Sequence, residues 1–297
     1  MKYILATDSF KGSLSSMEVE AEIAEVLTEK GADVVSLPMS DGGDGMLEAF
    51  TKALGGTIEP VYVHNQMMRR VDAAFGMTAD GTAIVEVAQA CGLELVKEDE
   101  RNPMRATTYG VGELLSRAVK RGCRNFIIGL GGSGTSDAGI GMLKALVDIF
   151  AKGKTFDDAM KTELGECRFT LACDVDNPLC GENGAACVYA PQKGATPQMV
   201  EQLDRRAKLF AEKSALHYGY DRSCCPGAGA AGGLGYAFMQ YLGAEMRSGA
   251  DMLLSLCRFD DVAKDADMII TGEGHADRQT LMGKLPQKVL QRGQQMG

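Results

Sequence analysis

Apolar and polar positions along this chain switch between a period of two and a period near 3.6. Residues 2–7 form a short apolar run that ends in Asp8 and predicts a first β-strand. Val19, Ile23, Val26 and Leu27 then recur at helical spacing, so a helix is expected from a cap at Ser16 to about Glu29, closed by Gly31. Residues 33–38 return to a strand, and residues 46–54 to a helix stopped by Gly55-Gly56. This βαβα order favours a parallel sheet whose loops gather at the carboxyl ends of its strands.

The pattern changes over residues 57–87. Residues 57–63, 70–77 and 82–87 read as strands, with Asp80-Gly81 as a hairpin turn, and a change of domain is placed in this stretch. A helix is expected over 108–121, with Val111, Leu114, Leu115, Ala118 and Val119 along one face. The apolar run Phe126-Ile127-Ile128 precedes a glycine-rich stretch, and residues 140–146 read as the helix after it. Residues 148–166 are polar without a period and read as a connection. A strand over 167–173, a helix over 197–214, a small-residue run at 226–233 entering a helix, and a strand over 267–270 follow.

Composition narrows the class. The chain has 297 residues, 45% of them hydrophobic and 24% charged, which allows a sizeable core and a soft prior of two domains. The net charge of −9 argues against a nucleic-acid or anionic-membrane partner, which would need a basic face. No apolar run is long enough to span a membrane, and Asp8 comes too soon for a signal peptide. The nine cysteines, an odd number without a CxxC pair, read as buried reduced thiols of a cytoplasmic protein. Three histidines are too few for a histidine-rich metal site and give a Ser-His-Asp hydrolase poor support.

The candidate chemistry lies in the loops. Gly129-Leu130-Gly131-Gly132-Ser133-Gly134 sits between a strand and a helix, where an α/β protein presents backbone N–H groups to an anion. Its formal GxGxxG is mid-chain and lacks a correctly placed acid, so a phosphate cradle is favoured over dinucleotide binding or a structural turn. Ser133, Thr135 and Ser136 add hydroxyls, and Asp137 is a candidate metal ligand. Asp8, Asp41, Asp44, Asp137, Asp174, Asp176, Glu273 and Asp277 all follow strands, as a phosphoryl-transfer site needs, although each alone would also suit a cap or turn. Asp174 and Asp176 alternate in an extended stretch, which would point both to one face. Lys11, Lys193 and Lys284 sit beside glycine as phosphate-contacting lysines often do; an ordinary surface lysine is the other reading of each.

Together these loops resemble the type 1 glycerate kinase family. Asp8-Ser9-Phe10-Lys11-Gly12-Ser13 is similar to its opening motif, and Asp41-Gly42-Gly43-Asp44-Gly45 to its DGGEG loop. Asn102-Pro103 with residues 107–112 resembles NP…TTYGVG, and residues 131–139 resemble GGSATNDGG. Residues 173–179, 191–195 and 226–233 resemble CDVDNPL, PQKGA and PGAGAAGG. Residues 271–274 with Asp277, Gln279 and Gly283-Lys284 resemble TGEGxxDxQ…GK. The chain departs at Gly134, Ser136 and Ala138, where Ala, Asn and Gly are usual, at His275, where Arg is usual, and in a shorter 148–166 segment.

The resemblance implies an α/β fold of two domains: a flavodoxin-like parallel-sheet outer domain, a large inserted α/β domain, and an active site in the cleft between them. The expected division is residues 1–78 for the first part of the outer domain, 79–285 for the insertion and 286–297 for the returning outer domain. The rest of that domain would follow Gly297, so the present chain is expected to be less stable and weak as an enzyme. The implied reaction is transfer of the ATP γ-phosphoryl group to a hydroxyl of D-glycerate, with 2-phosphoglycerate the favoured product and Mg2+ as cofactor. Lys11, Asp8, Asp41 and Asp176 are the expected catalytic residues. Gly131, Gly132, Ser133, Thr135, Lys193, Glu273 and Lys284 are expected to bind the nucleotide, and Asp137, Asp174 and Asp277 the metal. A homodimer is the candidate assembly. A non-catalytic or sugar-acid-binding relative, inactive through truncation, is the alternative, and a Rossmann oxidoreductase stands third.

Overall fold

The computed structural model describes residues 1–10, 13–40, 42–43, 45–274 and 285–296. The expected site residues Lys11, Asp41, Asp277 and Lys284 lie outside the described residues. In chain order the elements are β1 (Lys2–Thr7), α1 (Ser16–Glu29), β2 (Asp33–Ser36), α2 (Met46–Ala53), β3 (Thr57–His64), β4 (Arg70–Met77), β5 (Thr82–Glu86), α3 (Ala88–Cys91), α4 (Tyr109–Lys120) and β6 (Asn125–Gly129). There follow α5 (Ile140–Phe150), α6 (Phe156–Ala159), β7 (Arg168–Ala172), α7 (Ala185–Tyr189), α8 (Pro197–Tyr218), α9 (Ala230–Tyr241), β8 (Glu245–Arg247), α10 (Gly249–Leu256), α11 (Phe259–Ala263), β9 (Met268–Gly272) and α12 (Leu285–Met296).

These strands make two sheets, a three-stranded one ordered β2-β1-β9 and a six-stranded one ordered β3-β4-β5-β6-β7-β8. The smaller is wholly parallel, with Leu5 opposite both Ser36 and Ile270. In the larger, β3 to β5 are antiparallel and β5 to β8 parallel. The two-domain α/β architecture, an outer parallel sheet with a large insertion, is the one expected. Residue 78 lies between β4 and β5, which pair with each other, and β9, inside 79–285, pairs with β1.

Period-two alternation places the larger sheet between two cores. Ala83, Val85, Phe126 and Ile128 face one cluster with Val111, Leu114, Leu115, Met142 and Phe238, while Ile84 and Ile127 face the other. Phe126 stacks on Phe169 at 4.9 Å between ring centres, and burying one such ring is worth about 2–3 kcal/mol. The second cluster joins Ile4 and Ala6 of β1 to Ile84 and Ala172 of the larger sheet, through Met46 and Phe50 of α2 and Leu253 of α10. One core therefore brings the carboxyl ends of both sheets together.

Three local expectations change. The cap of α1 is Ser15, because Ser15 and Glu18 form a reciprocal capping box. Residues 148–150 continue α5, and residues 156–159 form α6 behind a Thr155 cap. Helix α8 runs past 214 to Tyr218, where Gly219 takes the left-handed conformation that closes it. No helix among the described residues is long and apolar enough to cross a membrane.

Candidate active site

Register aligns Glu86, Gly129 and Ala172 in a row along the carboxyl edge of the larger sheet. The loop leading to α2 crosses this edge at backbone distance. Gly131 N–H donates to the Gly42 carbonyl at 3.0 Å, and a Cβ on Gly131 would stand 2.2 Å from Gly43 Cα. A Cβ on Gly42, whose φ is +96°, would stand 2.3 Å from the Ala172 carbonyl oxygen. The Glu86 carboxylate accepts from Leu47 N–H at 3.1 Å in the first turn of α2. From the smaller sheet, Asp8 N–H donates to the Gly272 carbonyl at 2.9 Å, which sets Asp8 beside Glu273 at adjoining strand ends. Ser9 lies near Gly45, 3.9 Å from where its Cβ would stand.

The loop after β6 is fixed from several sides. Gly134 N–H donates to the Cys91 carbonyl at 2.6 Å, and Leu93 N–H to the Gly132 carbonyl at 2.8 Å. Gly232, at φ +67°, comes so close that a Cβ there would stand 2.0 Å from the Thr135 carbonyl oxygen. Lys193, only 2% exposed, donates to Ser133 Oγ at 3.1 Å and to the Thr135 carbonyl at 2.6 Å. Burial pulls its ammonium down to about 8, partly offset by Cys91 and Asp137. The Cys91 thiol is itself pushed up to about 12 by burial. The hydroxyls of Ser136, Ser9 and Thr271 are buried without a partner among the described residues.

A family model described as the glycerate kinase family matches residues 3–297. The chain belongs to the glycerate kinase family. It is 41% identical to a glycerate kinase of Haemophilus influenzae, over 96% of this chain and 81% of that one. It is 40% identical to the glycerate 2-kinase of Escherichia coli K12, over 96% and 80% of the two chains. A crystal structure named for a glycerate kinase 2 of Salmonella typhimurium LT2 superposes with a TM-score of 0.83 at 37% identity, covering all of this chain and 84% of that one.

Within this kinase fold, Gly131, Gly132, Ser133, Thr135 and Asp137 share the loop after β6, and Asp8 and Glu273 share the ends of β1 and β9. Lys193 lies beneath the glycine loop and touches it directly. Asp137 serves as an anchor. Its Oδ2 accepts from Thr108 N–H at 2.8 Å, Thr108 Oγ at 3.0 Å and Gly141 N–H at 3.0 Å, and its Oδ1 from Gly139 N–H at 3.1 Å. Burial raises its carboxyl against these bonds. Asp174 pairs with Lys288 of α12 at 3.0 Å, and Lys288 also donates to Ser248 and, at 2.9 Å, to Asp251. Asp176 is exposed, so the two acids do not share one environment; residues 173–178 belong to no strand, and the alternation argument fails there. Among the described residues no group of three or more potential ligands could hold a metal, and the oxygens of Asp137 and Asp174 are already engaged. Both side chains thus have structural partners in the described residues.

Two residues went unnoticed in the sequence. Glu20 of α1 is 1% exposed, and its Oε1 accepts from Thr7 N–H at 2.9 Å and Thr7 Oγ at 3.2 Å, while Oε2 has no partner among the described residues. Burial raises its carboxyl to about 7. It stands on the apolar stripe of Val19 and Ile23, and an acid there is a readable signal. Lys288 had no comparable local signal.

Proposed function

We propose that this member of the glycerate kinase family transfers the γ-phosphoryl group of ATP to the 2-hydroxyl of D-glycerate. The observation that carries the reading is the contact of the two glycine loops, Gly131 on Gly42, over the strand ends where Asp8 and Glu273 also emerge. Phosphoryl transfer needs a fixed phosphate cradle, an acceptor hydroxyl held in line, and cations to offset moving charge. The loop from Gly131 to Thr135, backed by Lys193, is assigned the nucleotide phosphates, with Glu273 and Lys284 at the same ligand. Its close-packed glycines and the buried Ser136 hydroxyl, without a partner among the described residues, suit an anion. Asp8, Lys11, Asp41 and exposed Asp176 are assigned to glycerate and the reacting hydroxyl. Mg2+ would come with the nucleotide and neutralise phosphate charge; Asp277 is retained as its proposed protein ligand.

The nine free cysteines support a reducing, cytoplasmic setting. Sheet membership supports an inserted domain of about residues 57–247 between two outer segments. Phosphorus and proton NMR of the product formed from ATP, Mg2+ and D-glycerate tests the reading. A 2-phosphoglycerate signal is expected. A 3-phosphoglycerate signal would move the acceptor to the terminal hydroxyl, and unmodified glycerate would contradict the reaction.

A further inference from the structure

Lys193 is an unusual cation for a phosphate site, because it is 2% exposed and lies under the loop. Both of its acceptors among the described residues are neutral, the Ser133 hydroxyl at 3.1 Å and the Thr135 carbonyl at 2.6 Å. Around it stand Cys91 of α3 and Asp137 of the loop, which favour its charged form without an ion pair among the described residues. Arg101 lies on the neighbouring segment, its carbonyl 2.9 Å from where a Gly194 Cβ would stand, with Glu94 3.6 Å from its guanidinium. A buried cation with only neutral partners costs stability, so its retention calls for a use.

Hydrogen-bond arithmetic supplies one. A serine hydroxyl has one proton, and Ser133 Oγ already accepts from the ammonium, so its own proton is turned elsewhere. A trans peptide directs its N–H opposite to its C=O, and no cis peptide bond occurs among the described residues. Drawing the Thr135 carbonyl towards Lys193 therefore turns the Ser136 N–H away from it. The Ser136 hydroxyl beside it is buried with no partner among the described residues. We infer that Lys193 is a positioning residue: its buried ammonium sets the polarity of the loop, turning the Ser133 hydroxyl and the Ser136 N–H outward as donors to the phosphate oxygens of the nucleotide. This rests on the kinase reading and gives Lys193 a role through the loop in place of direct phosphate contact.

Loss of the charge releases both donors. Burial sets the ammonium at about 8, so nucleotide affinity should be full at neutral pH and fall as the pH rises through that value. Nucleotide phosphates are already fully ionised there, with a second ionisation at about 6.

The test is calorimetric binding of Mg·ATP from about pH 7 to 9.5 for the wild type, Lys193→Met and Ser133→Ala, with KM for ATP and for D-glycerate measured alongside. The wild type is expected to weaken through pH 8. Lys193→Met should bind about 10- to 100-fold more weakly at pH 7, with no step near pH 8 and the rise confined to the KM for ATP. Ser133→Ala should weaken binding less and keep the step. A folded Lys193→Met protein with wild-type affinity, or one that keeps the step, overturns the inference. So does a rise confined to the KM for D-glycerate, which would give the loop to the acceptor's carboxylate. If Lys193→Met does not fold, the wild-type profile decides, and ATP binding without a step overturns the inference alone. A wild type that binds no ATP at any pH overturns it together with the kinase reading.

Discussion

The glycine loop after β6 and the end of β1 are both turns at the carboxyl edge of a parallel sheet, yet they are held in different ways. The first is fixed by backbone. Gly131 meets Gly43, Gly232 meets Thr135, Gly134 meets Cys91, and Asp137 ties the loop to the starts of α4 and α5. The second is tied to its neighbouring strands by Asp8 N–H on Gly272 and Met39 N–H on Thr7, is backed by one buried carboxylate, Glu20 on Thr7, and carries a Ser9 hydroxyl without a partner among the described residues. Backbone packing leaves little to rearrange, so the first loop is preorganised for an oxyanion. The second leans in part on a carboxyl that burial raises to about 7, so it should respond to pH.

The comparison breaks most visibly at Gly131→Ala. The new Cβ would stand 2.2 Å from Gly43 Cα, which is backbone and cannot turn aside, so the two glycine loops must separate. Glycerate-dependent kcat/KM should fall about 100-fold or more, because displacing a positioning loop by an ångström is enough for that. A melt showing a folded protein, with turnover unchanged, would disprove the packing argument.

Asp137→Ala comes next. It strands the N–H groups of Thr108, Gly139 and Gly141, and should lower stability by about 2–3 kcal/mol in thermal unfolding. Asp137→Asn should leave the Mg2+ concentration needed for half-maximal turnover unchanged. A marked increase would give Asp137 a role at the metal.

Glu20→Gln addresses the other region. The folded-state value of about 7 lies above the ordinary 4.5, so the protonated form is favoured in the folded protein. The stability it contributes is full below 4.5 and is lost as pH rises through 7. Glu20→Gln should therefore melt like the wild type near pH 4.5 and be more stable at pH 8, by about 1–2 kcal/mol. Equal melting at both pH values would show that Glu20 is not buried as described. The smallest effect is expected at Lys144→Ala, which removes an exposed i,i+4 pair with Asp148 and should change stability by no more than about 0.5 kcal/mol.

What the sequence showed follows from the length over which a signal accumulates. Strands β3 to β5 were legible because two-residue alternation runs through each and Asp80-Gly81 marks the turn. The three residues of β8 and the short α11 offer no period to read, and their place is set by packing. The glycine loop was legible as an anion cradle because glycine, serine and a preceding strand are all local. That Lys193 lies beneath it, and that Asp174 turns to Lys288 some 114 residues away, are tertiary facts that no local pattern carries. Asp137 allowed both a turn and a metal reading, and its four hydrogen bonds give it the part of a turn anchor, a contact no local pattern carries.

The central claim is that the meeting of the two sheets' loops makes a site for phosphoryl transfer to glycerate. The most direct test is the rate of ADP release from Mg·ATP by the full chain, with and without D-glycerate, beside the phosphoglycerate formed. The account predicts ADP and phosphoglycerate in equal amounts, with release dependent on D-glycerate. ADP release at the same rate with and without the acceptor, or bound ATP that never turns over, would contradict it.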